Sequence, residues 1–252
     1  MLDAAQWAIL WPAFAAGLLV TATHVPLGMQ VLDRGIVFID LAIAQIAGVG
    51  VIFADYLGWE PTGAAVQVAA LAAALAGAAL LTWTERRWPE VQEAIIGVVF
   101  VLASSLAILL LAKNPHGGEH LKDLLSGQIL WVNPARLPLQ ALAYVVLLAL
   151  WFGLRERLGR IGFYVLFACA VTIAVQLVGL FLVFSTLVVP ALATFYSRRH
   201  RYAKAYAVGV LGYGLGLALS LFVDLPSGAM IVCAMAVTGA AVALATGKRV
   251  AH

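Results

Sequence analysis

The chain has 252 residues, of which 64% are hydrophobic and only 11% charged, and its mean hydropathy is +1.02. A soluble domain carries about a quarter charged residues; with so few, lipid rather than water must cover most of this surface. The net charge of +3 is no reason to invoke nucleic acid, because cytoplasmic Lys and Arg produce the same excess in a membrane protein.

Apolar stretches of about 17–25 residues are long enough to cross a bilayer as helices. The first is predicted at 7–27. The first basic residue of the chain is Arg34, so the charged start of a cleavable signal is not expected. His24, near the inner end of this span, reads as a packing or interface histidine rather than a ligand. The second span, 35–56, carries Asp40 and Gln45. A carboxylate in a span costs about 2.5–3.5 kcal/mol to insert and generally faces a bundle interior or a water path. Asp40 is therefore the first candidate for chemistry. It stands close to the inner end of its span, so snorkelling toward the interface is the competing reading. Gln45 could supply a second oxygen on a neighbouring face, or bind another helix.

The third and fourth spans are predicted at 63–83 and 94–112, followed by the longest outer segment, from Lys113 to Pro134. Here His116, Glu119, His120 and Asp123 stand at i, i+3, i+4 and i+7, which share one face if the segment is helical. Imidazole with carboxylate suits zinc, or manganese where oxygen predominates. A water-facing amphipathic helix would show the same pattern, and Gly117 and Gly118 disfavour a helix at all. The same residues spell His-x-x-Glu-His, a pattern of one class of zinc metalloproteases. A membrane-embedded metallopeptidase is thus the rival function from another class. It needs a third ligand on the same side of the membrane, and Glu156 falls on the other.

The remaining spans are predicted at 136–153, 161–178, 180–196, 205–222 and 227–246. As one helix, 161–196 would run roughly 54 Å, too long for a hydrocarbon core of about 30 Å. Gly179 and Pro190 offer places to break it. Charge decides between two crossings and one. With nine crossings and the N-terminus outside, Arg34, Arg86, Arg87, Arg155, Arg157, Arg160, Arg198, Arg199, Arg201, Lys204, Lys248 and Arg249 fall inside. Of the 15 basic residues, only Lys113, Lys122 and Arg136 then fall outside. A single crossing at 161–196 inverts this balance, against the positive-inside rule. The expected fold is all-α and polytopic, with about nine spans (eight if 161–196 is one broken helix), N-terminus out and C-terminus in. Small residues four apart, Ala44 with Gly48 and Gly212 with Gly216, allow close helix approach. Cys169 and Cys233 lie in apolar runs and read as small apolar residues. With no separate soluble segment, residues 1–252 form one transmembrane domain. No nucleotide fingerprint or Ser-His-Asp set appears, so the chain reads as a transport subunit, not an enzyme, powered by a partner.

Three segments carry a family resemblance. The first combines Pro26-Leu27-Gly28, Val31-Leu32-Asp33-Arg34-Gly35 and Phe38-Ile39-Asp40. The second is Ser126-Gly127-Gln128-Ile129-Leu130-Trp131-Val132-Asn133-Pro134. The third and most specific is the run from Val178-Gly179-Leu180 through Ser185-Thr186-Leu187 to Pro190-Ala191-Leu192-Ala193-Thr194. Together they resemble the permease subunits of bacterial zinc and manganese ABC transporters, the ABC-3 family, over nearly the whole chain. The resemblance implies a multi-pass permease of the bacterial inner membrane, importing a divalent metal, zinc first and manganese second. Another small substrate on the same scaffold is the alternative. It implies two permease copies, an ABC ATPase subunit that uses ATP, a periplasmic metal-binding protein, lipid as surroundings, and no cofactor resident in this chain. It places Asp40 on the metal path, with Gln45 beside it. It puts Arg155, Glu156 and Arg157 at the coupling position toward the ATPase; outer metal capture by His116, Glu119, His120 and Asp123 is expected from their own spacing and chemistry. Two departures stand out. Where the family has a histidine four residues after the acid, this chain has Ala44, which would leave an oxygen-rich site. The family's longer coupling segment is reduced to Leu154-Arg155-Glu156-Arg157-Leu158-Gly159-Arg160.

Overall fold

The computed structural model describes residues 4–59, 63–111, 129–197, 199–223 and 225–247. The regular structure of the described residues is all helix, without a strand: α1 (Ala4–Arg34), α2 (Ile39–Tyr56), α3 (Ala64–Arg87), α4 (Gln92–Leu111), α5 (Leu137–Val178), α6 (Leu180–Ala193), α7 (Arg201–Val223) and α8 (Ser227–Gly247). Single 3-10 turns lie at Pro89–Val91, Ile129–Trp131 and Pro134–Arg136. Eight segments are long and apolar enough to cross a membrane, two of them, Pro134–Gly153 and Gly159–Val178, within or overlapping α5.

The breaks follow backbone chemistry. Gly159 (φ 56°) interrupts α5 and Gly179 (φ 88°) separates α5 from α6; both are in the left-handed region that side chains disfavour. The predicted division of 161–196 is therefore real and sits at Gly179, whereas Pro190 stays inside α6 near its end. With 14 residues, α6 is only about 21 Å long. The label α5 thus covers two helices joined across a kink at Gly159, which keeps the spans predicted at 136–153 and 161–178 as two. Helix α1 also outruns its predicted end, continuing through Pro26 to Arg34. Here Gly28 presses on the Leu187 carbonyl so closely that a Cβ would collide with it, and this contact holds the last turns against α6.

The chain forms two compact units interleaved in sequence. The first contains α1, the beginning of α5 and α6–α8. Its helices meet through small residues: Gly212 and Gly216 of α7 face Met235 and Ile231 of α8, an antiparallel pairing that matches the four-residue spacing seen in the sequence. Polar groups inside it pair locally, with Thr186 Oγ1 and Tyr213 Oη 3.0 Å apart and Tyr206 Oη donating to the Ala22 carbonyl at 3.1 Å. Arg201, opening α7, pairs with Asp33 near the end of α1 at 3.4 Å.

The second unit contains α2–α4 and most of α5. Helices α2 and α3 run antiparallel, Gly50 against Ala69 and Ala73, and Gly77 against Ile46. A buried amide joins three elements at one end. Gln92 Nε2 donates to the Leu81 carbonyl at 3.0 Å and reaches Tyr164 Oη of α5 at 3.5 Å, while Thr84 Oγ1 donates to Gln92 Oε1 at 3.0 Å. Arg160, just past the break in α5, approaches Glu85 of α3 at 3.9 Å.

Candidate functional site

The site is built at the first turn of α2. Gly35, with φ 71°, ends α1, and residues 36–38 turn the chain into Ile39. The N-cap residue Phe38 has no side chain able to cap, and its N–H is taken instead by Glu93 Oε1 at 3.2 Å. Glu93 itself lies in the first turn of α4, where the adjacent Gln92 is anchored by the network above. Two helix N-termini, each with partial positive charge from its unsatisfied N–H groups, thus bring one carboxyl group apiece to the same place.

Asp40 is the second residue of α2 and has no exposed surface. Neither of its carboxyl oxygens has a well-formed hydrogen bond, the backbone N–H groups of Asp40 and Leu41 being the donors nearest in kind, and Glu93 Oε2 is likewise buried and without a well-formed bond. Glu93 is bonded to Phe38, two residues before Asp40, so both carboxyl groups lie at the same end of α2. The carboxyl of Asp40 does not snorkel. An unpaired buried carboxylate is expensive, and the two helix dipoles offset that by at most about 2 kcal/mol each. The arrangement offers oxygens to a cation.

The other predicted residues fall elsewhere. Gln45 is nearly buried, but five residues along a helix place it about 7.5 Å further on and about 140° around from Asp40. The two share a helix without sharing a face. Ala44, where the resemblance calls for histidine, is buried. His116, Glu119, His120 and Asp123 lie outside the described residues, as do the side chains of Arg155 and Glu156; Arg157 is exposed. His24 is fully buried within α1, its Nδ1 3.0 Å from the Val20 carbonyl. Cys169 and Cys233 are unbonded thiols. Among the described residues no group of three His, Cys, Asp or Glu side chains could hold a metal, so a closed tetrahedral zinc site is not formed by them. Glu93 was not singled out by sequence reasoning; its only local signal is an acid opening a long apolar run.

A family model described as the ABC 3 transport family matches residues 6–163 and 149–245. An uncharacterized membrane protein of Synechocystis sp. is 29% identical, the alignment covering 92% of this chain and 89% of that protein. A Chlamydia trachomatis protein named "Probable metal transport system membrane protein" is 25% identical over 90% of this chain and 85% of its own. In fold, the chain is similar to PsaBC from Streptococcus pneumoniae, solved in complex with Fab, with a TM-score of 0.69 and 20% identity, covering 94% of this chain and 89% of that one. The eight apolar helices and these relatives make the chain a multi-pass integral protein of the bacterial plasma membrane.

Proposed function

The chain belongs to the ABC 3 transport family, and from that premise we propose that it is the permease subunit of an ATP-binding cassette importer whose cargo is a divalent transition metal ion, zinc or manganese. The observation that carries this reading is Asp40, a carboxyl group buried in a membrane span with neither oxygen in a well-formed hydrogen bond. A cation path gives such a group a reason to exist. The name of the Chlamydia relative supports a metal cargo.

In this reading residues 1–252 act as one transmembrane domain, two copies pair around a path, and a periplasmic metal-binding protein delivers the ion. A separate ATPase subunit binds and hydrolyses ATP inside the cell and drives alternating access. Arg155, Glu156 and Arg157 face that ATPase, and His116, Glu119, His120 and Asp123 assist capture at the outer mouth. The charge distribution supports an N-terminus outside and a C-terminus inside. The Asp33–Arg201 pair supports nine crossings. It joins the end of α1 to the start of α7, so an even number of passages must separate them. Five long spans lie between, and the short α6 supplies the sixth.

The test is uptake of radiolabelled zinc and manganese into membrane vesicles, normalised to permease abundance. Asp40→Asn keeps size and a hydrogen-bonding oxygen but removes the charge. It should abolish uptake while the complex with the ATPase still assembles. Full uptake by this variant would overturn the reading.

A further inference from the structure

We propose that Glu93 completes the cargo site with Asp40, so that two carboxyl groups from the first turns of α4 and α2 form one oxygen-donor station for a divalent cation. This rests on the permease reading above and deepens it by naming the second ligand and the chemistry it imposes.

Glu93 is held in place by one oxygen and leaves the other unused. Its Oε1 accepts the Phe38 N–H at 3.2 Å, which fixes the carboxyl at the mouth of α2, two residues before Asp40. Its Oε2 is buried and without a well-formed bond, as are both oxygens of Asp40. Three buried acceptor atoms paired with no side chain, at one helix end, are more than helix capping explains. Capping needs only Oε1, and a neutral Gln or a Ser at Phe38 would serve as well. Two carboxylates brought together at one helix end repel, and a visiting divalent cation relieves that repulsion while keeping both groups ionised. The ion pairs found among the described residues join Arg160 to Glu85 and Arg201 to Asp33, and neither involves Asp40 or Glu93.

The donor set also has a preference. With Ala44 one turn beyond Asp40, the face that carries Asp40 offers no imidazole. Two carboxylates with water suit a hard cation such as manganese, whereas zinc favours nitrogen and sulfur. The backbone near Glu93 is braced by Gln92, whose amide is tied to α3 and α5.

The experiment titrates MnCl2 into purified full-length permease in lipid nanodiscs, reading bound Mn2+ by electron paramagnetic resonance, with Zn2+ as competitor. Glu93→Gln keeps the acceptor for Phe38 N–H and the side-chain volume, and removes only the charge. It should weaken Mn2+ binding at least tenfold, and Asp40→Asn should do the same. The double variant should be little weaker than either single one, as expected of a shared site. Adding Ala44→His to Glu93→Gln should restore binding of Zn2+ in preference to Mn2+. Elution volume and thermal unfolding unchanged from the parent establish that each variant is folded. Wild-type Mn2+ affinity in folded Glu93→Gln, with binding lost in Asp40→Asn, would make Glu93 a helix cap only and overturn this proposal while leaving the permease reading intact. Unchanged binding in both variants would overturn the two together.

Discussion

Asp33 and Asp40 stand seven residues apart in the chain and meet opposite fates. Asp33, near the end of α1, is half exposed and paired with Arg201 at 3.4 Å. Asp40, in the first turn of α2, is sealed from solvent and takes part in neither ion pair found among the described residues. The same carboxyl chemistry therefore does two jobs. At the rim it joins two helix ends cheaply, because solvent screens both charges. Inside the span it stores an unmet demand for positive charge. The difference teaches that burial without a side-chain partner, rather than acidity, is what singles out Asp40 for the role proposed above.

The sharpest way to break this comparison is to neutralise each in turn. Asp40→Asn should reduce metal uptake at least 100-fold with assembly retained. Asp33→Asn should leave uptake within about twofold, since a solvent-screened pair contributes about 0–1 kcal/mol. Vesicle uptake per permease measures both. Comparable losses in the two variants would mean that the rim pair is also part of the transport cycle, and burial would lose its diagnostic value.

The next effect is smaller and asks whether the end of the second unit that holds Asp40 is also where energy enters. Helix α5 breaks at Gly159, and the residues just beyond it are tied back to α3 and to Gln92, the neighbour of Glu93. ATPase contact at residues 155–157 would thus act on a segment bonded to the start of α4. Arg155→Gln with Arg157→Gln should lower cargo-stimulated ATP hydrolysis about tenfold in the purified complex, with Mn2+ binding to the permease unchanged. A stable complex with unaltered hydrolysis would show that these arginines only anchor the helix at lipid headgroups.

Most of the helices were legible in the sequence because length and hydropathy alone decide a span. The split at Gly179 was legible because an apolar run longer than the bilayer has to bend, and glycine is where it can. The overrun of α1 past Pro26 was not. A proline reads locally as an end, but the contact of Gly28 with Leu187 holds the helix on from 159 residues away in sequence. The site divides in the same way. Asp40 was visible as a charge where charge is costly. Glu93 was not, because an acid in a helix's first turn is ordinary, and only the fold reveals that it lies against Phe38, 55 positions earlier. The outer His116–Asp123 pattern stays a matter of spacing, since it falls outside the described residues.

The smallest effect sharpens the comparison within α2 itself. Gln45 is nearly as buried as Asp40 and lies in the same helix, so if burial of any polar group sufficed, the two would matter equally. They differ in charge and in direction. An amide oxygen carries only a partial charge and holds a divalent ion far less strongly than a carboxylate. An angular offset of about 140° also points it away from the Asp40 face. Gln45→Ala should therefore lower uptake by no more than about threefold, through lost helix packing or a weakened contact along the path. It should leave the Mn2+ over Zn2+ preference unchanged. Uptake at limiting and at saturating metal separates the two contributions, because a packing loss lowers both equally while a lost ligand acts mainly when metal is scarce. A loss as large as that of Asp40→Asn, confined to limiting metal, would place Gln45 in the coordination sphere and require α2 to unwind or rotate during the cycle to bring both groups to one ion.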